Sequence, residues 1–433
     1  MLGYYFNLAL RSFKRNKVLT ALMVLAIALG IGASMTTLTV FHVLSGDPIP
    51  DKSDRLFYVQ LDAVDMQGYV AGQEPEEQLT RYDAEALLRE RKGTRQAAMT
   101  GGSLAVKLPA STQAPTFPDA RYTSADFFPM FDAQLAYGRG WSDEDDAAQA
   151  RVTVLSHELN QTLFGGEDST GRTVSLNQQD FRVIGVLRPW RPVPRFWDLN
   201  TGRYETLESV FLPFSTAMAL KFDRQGSTNC WGDSGGDSTA LNAPCAWAQY
   251  WVELASADDA AAYRDYLTNY SEQQRAAGRF VRPTNVRLRN VMQWLDFNKV
   301  VPADVRLQVW LAFGFLLVCL VNTVGLLLAK CLRRASEIGV RRALGAPRRE
   351  IFLQFLVESG TLGIAGGILG LGLALLGLWG VRQNPSSYAQ LAHLDLPMLA
   401  LTFVLAVVAS LLAGLLPAWR ACQVTPALQL KSQ

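Results

Sequence analysis

Apolar residues in this chain gather into four long runs, at residues 18–43, 309–329, 356–380 and 398–419. About 20 such residues at 1.5 Å each cross the roughly 30 Å of a bilayer's hydrocarbon, so each run predicts a membrane-spanning helix. None has a charge at its centre. Glu358 falls in the first turn of the third run, where a carboxylate is expected still to reach the interface; deeper, it would cost several kcal/mol. The first run far exceeds the roughly 7–15 residues of a signal-peptide core, and Phe41-His42-Val43 is a poor cleavage site, so a retained anchor is expected.

The 256 residues from Ser45 to Val300 have a different pattern. Short β-branched or aromatic stretches bounded by turn residues predict strands at 56–61, 151–155, 173–176, 181–187 and 210–214. Helical spacing occurs at 81–91, through Tyr82, Ala86 and Leu87, and at 257–276, through Tyr263, Tyr266, Leu267 and Tyr270. Those aromatics read as core. Residues 226–244 are rich in Gly, Ser, Asp and Asn and read as a surface loop. The fold class is therefore an α+β membrane protein, with one span before and three after a large mixed α/β domain.

Composition sharpens this. Charged residues make up 18% of the chain, below the roughly 25% of soluble domains, which excludes a disordered protein, a coiled coil and a simple soluble enzyme. Between Ser45 and Val300 there are 26 basic and 34 acidic residues, leaving 15 and 5 for the remainder. Arg11, Lys14, Arg15 and Lys17 precede the first run. Lys330, Arg333, Arg334, Arg341, Arg342, Arg348 and Arg349 separate the second from the third. Cytoplasmic flanks collect such residues, so both termini and residues 330–355 are expected inside and the acidic domain outside. Cys230 and Cys245 are the only cysteine pair in the outside stretch, and a disulfide is expected between them.

Two short strings imitate catalytic motifs. Gly232-Asp233-Ser234-Gly235-Gly236 copies a serine-protease nucleophile loop. The three histidines, His42, His157 and His393, are in the wrong contexts to complete it. Residues 166–173 approach a phosphate-binding loop, but Arg172 stands where Lys is required and the acids would repel phosphate. No catalytic residue, resident cofactor, zinc site or nucleic-acid partner is expected.

The informative segment lies between the second and third runs. Val340, Ala343 and Leu344 fall at i, i+3, i+4 among arginines, with Gly345 and Pro347 as stops, which predicts a short amphipathic helix. Its plainest use is lying on anionic lipid; Glu337 and Gly339 argue for a groove in a protein partner. Leu2, Tyr4, Tyr5, Phe6, Leu8, Ala9 and Phe13 predict another interfacial helix ahead of the first span. Gly363 with Gly367 and Gly366 with Gly370 give the spacing that lets helices approach closely, within the bundle or at a dimer seam.

Taken with these features, the string Glu337, Ile338, Gly339, Val340, Arg341, Arg342, Ala343, Leu344, Gly345, followed by Ile351, Gln354, Phe355 and Glu358, resembles the coupling segment of MacB/FtsX-type permeases of ABC transporters. Asn322 with Gly325, and Leu416-Pro417-Ala418-Trp419-Arg420 with Pro426-Ala427, resemble that family's flanking patterns. Asp126-Phe127-Phe128, Gly138-Arg139, Leu163-Phe164-Gly165-Gly166 and Val183-Ile184-Gly185-Val186 resemble its MacB-like periplasmic core. The Trp-rich insert at about 190–251 departs from the pattern, and the fused ATPase of MacB has no counterpart in these residues.

The resemblance implies an interfacial helix (1–17), a first span with stalk (18–44), and a periplasmic core of porter-like and inserted subdomains (45–290). A stalk with the second span (291–329), the coupling loop (330–355), the third span (356–380), a short external loop (381–397), the fourth span (398–419) and a cytoplasmic tail (420–433) complete the order. It further implies an inner-membrane permease paired with a second permease and with an ABC ATPase that binds ATP and Mg. The ATPase would drive export of peptides, antibiotics or other amphiphiles by moving the outer domain, and an adaptor leading to an outer-membrane channel is an implied route. Lipoprotein extraction, control of a wall hydrolase, or a signalling receptor with a bound kinase are the competing expectations.

Overall fold

The computed structural model describes Gly3, Leu8 and residues 12–13, 16–109, 111–205, 207–383, 391, 393–394 and 396–422. Most of the expected interfacial helix and external loop, and the tail beyond Cys422, lie outside the described residues. Two compact units are present. One is Gly46–Val300; the other joins Met1–Ser45 to Val301–Gln433.

The membrane unit contains α1 (Lys17–Ser45), α2 (Ala303–Arg333), α3 (Ala335–Ala343), α4 (Arg348–Arg382) and α5 (Leu396–Cys422). All but α3 are long and apolar enough to cross a membrane. They outrun the apolar stretches because a helix does not stop where lipid does. Pro302 and Pro347 sit at the N-caps of α2 and α4, as a residue without an N–H can. Gly345, at φ 97°, makes the left-handed turn from α3 towards α4.

Glycines decide how closely these helices pack. A Cβ on Gly366 would lie 2.6 Å from Ile27 Cγ2, and one on Gly370 3.1 Å from the Ala28 carbonyl, so both face α1. Gly363 faces Ser410 and Ala406, and a Cβ on Gly367 would lie 2.8 Å from Ala406 Cβ, so both face α5. The two small-residue stripes of α4 are thus occupied by the chain's own helices. Met23, Ile27, Ile31 and Met35 of α1 are fully buried in the same core.

The outer unit is built on a mixed sheet. Its strands are β1 (Leu56–Leu61), β2 (Leu79–Thr80), β3 (Arg95–Ser103), β4 (Val106–Lys107), β5 (Asp119–Thr123), β6 (Leu135–Gly138) and β7 (Val152–Leu155). There follow β8 (Thr173–Leu176), β9 (Gln179–Leu187), β10 (Val210–Pro213), β11 (Arg224–Gln225), β12 (Asn229–Cys230), β13 (Cys245–Glu253) and β14 (Val286–Asn290). The path runs β14-β1-β13-β3-β5-β10-β7-β9-β8-β4. Strands near the domain's two chain ends form one section and middle strands the other, joined where β5 and β10 pair in parallel. Helices Arg81–Glu90 and Ala257–Ala276 occur as expected, each N-capped by a hydroxyl, Thr80 and Ser256.

The expected strands are present, three with shifted ends, and the Trp-rich insert supplies what the sequence hid. All nine residues of β13 are buried, so it carries no alternation to reveal it. Cys230 and Cys245 pair across β12 and β13 and are disulfide-bonded, 15 residues apart, a closure worth about 3 kcal/mol in the chain-entropy picture. Residues 291–297, expected to begin a stalk, form a separate helix, Val291–Phe297, inside the outer unit. Trp294 there stacks on Tyr58 with ring centroids 3.9 Å apart.

Candidate functional site: a short helix on a buried ion network

Helix α3 begins where the Lys330–Arg334 end of α2 gives way to Ala335, and its inner face is made by Ala335, Ile338 and Gly339. Ile338 packs with Cys331, Ile351, Phe355 and Ala418, side chains of α2, α4 and α5. The outer face is bare. Val340 is 50% exposed and Leu344 83%, with Ala343 and Gly345 also exposed. The spacing of Val340, Ala343 and Leu344 was real, but it is Ile338 that anchors the helix, leaving those three outward.

Glu337 organises the helix from its side. Its carboxylate accepts from Arg341 Nη2 at 2.8 Å and from Arg334 Nη2 at 3.3 Å. Arg341 also donates to Gln354 Oε1 of α4 at 3.1 Å. Gly339, expected as a partner contact alongside Glu337, is buried against the chain itself.

Beneath α3 lies a network that sequence reading missed. Glu358, expected at the interface, is only 2% exposed and pairs with the equally buried Lys330. Ser12 donates to Glu358 Oε1 at 2.7 Å, and Arg334 Nη1 lies 3.4 Å from Glu358 Oε2 and 3.3 Å from Ser12 Oγ. One carboxylate therefore joins the segment before α1, the end of α2, the start of α3 and the body of α4. The available signal was an acid inside an apolar run, because such a group needs a counter-ion, and Lys330, Arg333 and Arg334 were the basic residues near the end of the preceding span.

The motif imitations resolve as turns. Gly235 and Gly236 have φ of 62° and 82°, and Gly235 N donates to Asp233 Oδ1 at 2.8 Å. Gly166 and Gly171 are both at φ 84°, with Asp168 Oδ1 accepting from Thr170 N at 2.9 Å. Among the described residues, no group of three or more His, Cys, Asp or Glu could hold a metal ion.

Comparison with known proteins decides the family. Residues 20–270 match the MacB-like periplasmic core domain, and residues 309–426 match the FtsX-like permease C-terminal region. The chain belongs to the MacB/FtsX-type ABC transporter permeases. It is 25% identical over 431 residues to the macrolide export ATP-binding/permease protein MacB of Azoarcus sp., covering 98% of this chain and 59% of that one. It is likewise 25% identical over 315 residues to the pyoverdine export ATP-binding/permease protein PvdT of Pseudomonas syringae pv. tomato, covering 70% and 41%. The chain thus spans less than two thirds of the length of these relatives. The crystal structure of the periplasmic region of MacB from Actinobacillus actinomycetemcomitans aligns with TM-score 0.37 and 14% identity, over 58% of this chain and 95% of that one. Four helices apolar enough to span and a MacB-like periplasmic domain make this a multi-pass membrane protein with an external domain.

Proposed function

We propose that this chain is the permease subunit of an inner-membrane exporter, in which α3 is the lever on which a partner ATPase acts. The observation that carries the reading is the two-sidedness of α3. Its outer face offers Val340 and Leu344 to a protein groove, amid Arg342, Arg348 and Arg349, while its inner face is fastened to two spans through Ile338 and the Glu358 network. A push on the outer face is passed to α2 and α4, and α2 continues along the chain from the external domain. The excess of Lys and Arg beside α3 favours the cytoplasm for it and for both termini. ATP and Mg are bound by the ATPase, and peptides, antibiotics or other amphiphiles already outside are the cargo, with an adaptor and outer-membrane channel as a route onward.

A second permease fits on α2. Asn322 lies in the middle of that span on its exposed face, with no hydrogen-bond partner among the described residues. An amide left unpaired in hydrocarbon costs several kcal/mol, so a facing helix that satisfies it is favoured. A lipoprotein extractor or hydrolase regulator would use the same lever, whereas a receptor would present α3 to a kinase.

The test is Leu344→Asp in the full chain, followed by co-purification. Loss of at least about tenfold of a bound ATPase, with normal membrane insertion, is expected from burying a charge at an interface centre. Undiminished ATPase recovery, or recovery of a kinase instead, removes the reading.

A further inference from the structure

A cleft of about 620 Å³ opens in the external domain where the two sections of the sheet meet. Helix Arg81–Glu90 and the start of β3 form one wall; helices Asp143–Ala147 and Phe214–Ala219 form the other. Junctions of this kind are favoured places for small-ligand sites. Leu88, Ala147 and Phe214 give the cleft apolar lining.

Its charges are mostly spoken for. Arg81 is bound to Glu85 at 2.6 Å, Arg95 to Glu253 at 2.8 Å, and Arg91 reaches across to Asp143. Asp146 accepts from Ser215 N at 3.0 Å and Ser215 Oγ at 2.6 Å, and burial raises its carboxyl above the usual range, which weakens it as an anion. Besides Asp146, two lining groups have no ion-pair partner among the described residues. Arg89 is exposed and makes no hydrogen bond among the described residues, and Asp126, on the turn after β5, accepts from Gln96 N at 2.9 Å and feels the charge of Arg95 at longer range without forming an ion pair with it. A guanidinium and a carboxylate are thus left over in a partly apolar trough, and a ligand that satisfies both carries an anion, a cation and an apolar body.

We infer that this cleft binds zwitterionic amphiphiles, namely short apolar peptides with both termini free, the carboxylate going to Arg89 and the ammonium to Asp126. Guanidinium groups favour carboxylates because two parallel N–H donors match two oxygens. Placing the cargo here deepens the export reading by naming a substrate class and its first contact. Binding needs no ATP, so the two ideas fail separately.

The experiment is calorimetric titration of the full chain, in phosphatidylcholine nanodiscs without ATP, with the peptide Leu-Leu-Phe. Its C-amidated and N-acetylated forms are titrated in parallel. Leu-Leu-Phe is expected to bind at least about tenfold more tightly than either blocked form, since each block removes one charge-assisted contact. Arg89→Glu should erase the preference over the amide and Asp126→Asn the preference over the acetylated form, each with an unchanged melting profile. The Leu344→Asp chain should bind the peptide normally. Equal binding of the three peptides, no binding of any at millimolar concentration, or retained preferences in both variants would overturn the assignment.

Discussion

The two units of this protein each bury an ionic network, and the networks differ in where they lead. In the external domain, Arg121 donates to Glu208 Oε1 at 2.9 Å and to Asp198 Oδ2 at 2.7 Å, while Arg195 lies 3.6 Å from Glu208. All four side chains are sealed, Trp197 Nε1 lies 3.5 Å from Glu208 Oε1, and Gln249 and Thr201 donate to Asp198. In the membrane unit the Glu358–Lys330 pair is sealed too, but Arg334 carries the network out to Glu337 and Arg341 on α3. A closed network locks one conformation; one that ends on an exposed helix links that helix to the interior. Burial alone does not separate structural from transmitting ion pairs, whereas the path out does.

The strongest way to break that contrast is Arg121→Met, which leaves two carboxylates buried without their main counter-ion. A loss of about 3–5 kcal/mol is expected, read as a lower unfolding midpoint of the full chain by tryptophan fluorescence, with ATPase association unchanged. Glu358→Gln strands Lys330 and should cost about 3 kcal/mol in the membrane unit. Unlike Arg121→Met, it should also weaken the stimulation of ATP hydrolysis by the reconstituted permease, and normal stimulation would reduce the network to a mere structural pair. Gly366→Leu forces α4 off Ile27 of α1 and should cost about 1–3 kcal/mol, measured by thermal unfolding in nanodiscs.

The smallest effect is that of pH. Burial pushes Asp198 and Glu208 up, but the Arg121 and Arg195 guanidinium groups outweigh it and hold both carboxyls below their ordinary range. Unfolding therefore raises their affinity for protons. Their contribution is whole above about pH 5, where unfolded carboxylates are ionised, and drains as pH falls through the lower folded values. A midpoint flat from pH 8 to 5 and falling below 4 is expected for the wild-type external domain, with a shallower fall in Arg121→Met.

Much of the site was legible because the forces involved are local. The spacing of Val340, Ala343 and Leu344, and the stops at Gly345 and Pro347, identify α3 from the string alone. Which face of α3 turns inward was not legible, since Ile338 is chosen by Ile351, Phe355 and Ala418, which come from elsewhere in the chain. Glu358 misled for the same reason: its position in an apolar run suggests an escape to the interface, and only Lys330 and Ser12, brought by other segments, make burial tolerable. In the external domain, β3 was hidden by alanine and glycine, and β13 by uniform burial.

By itself the sequence determined the spans, the strand at β1 and the cysteine pair, because hydropathy, β-propensity between turn residues and compartment chemistry act over neighbouring residues. Tertiary structure alone decided that the glycines of α4 serve α1 and α5, that Arg121 meets Asp198 and Glu208, and that Arg89 and Asp126 are left over beside one cleft. Those outcomes depend on which distant groups find one another, and a desolvated charge or a missing Cβ takes its meaning from the partner that arrives.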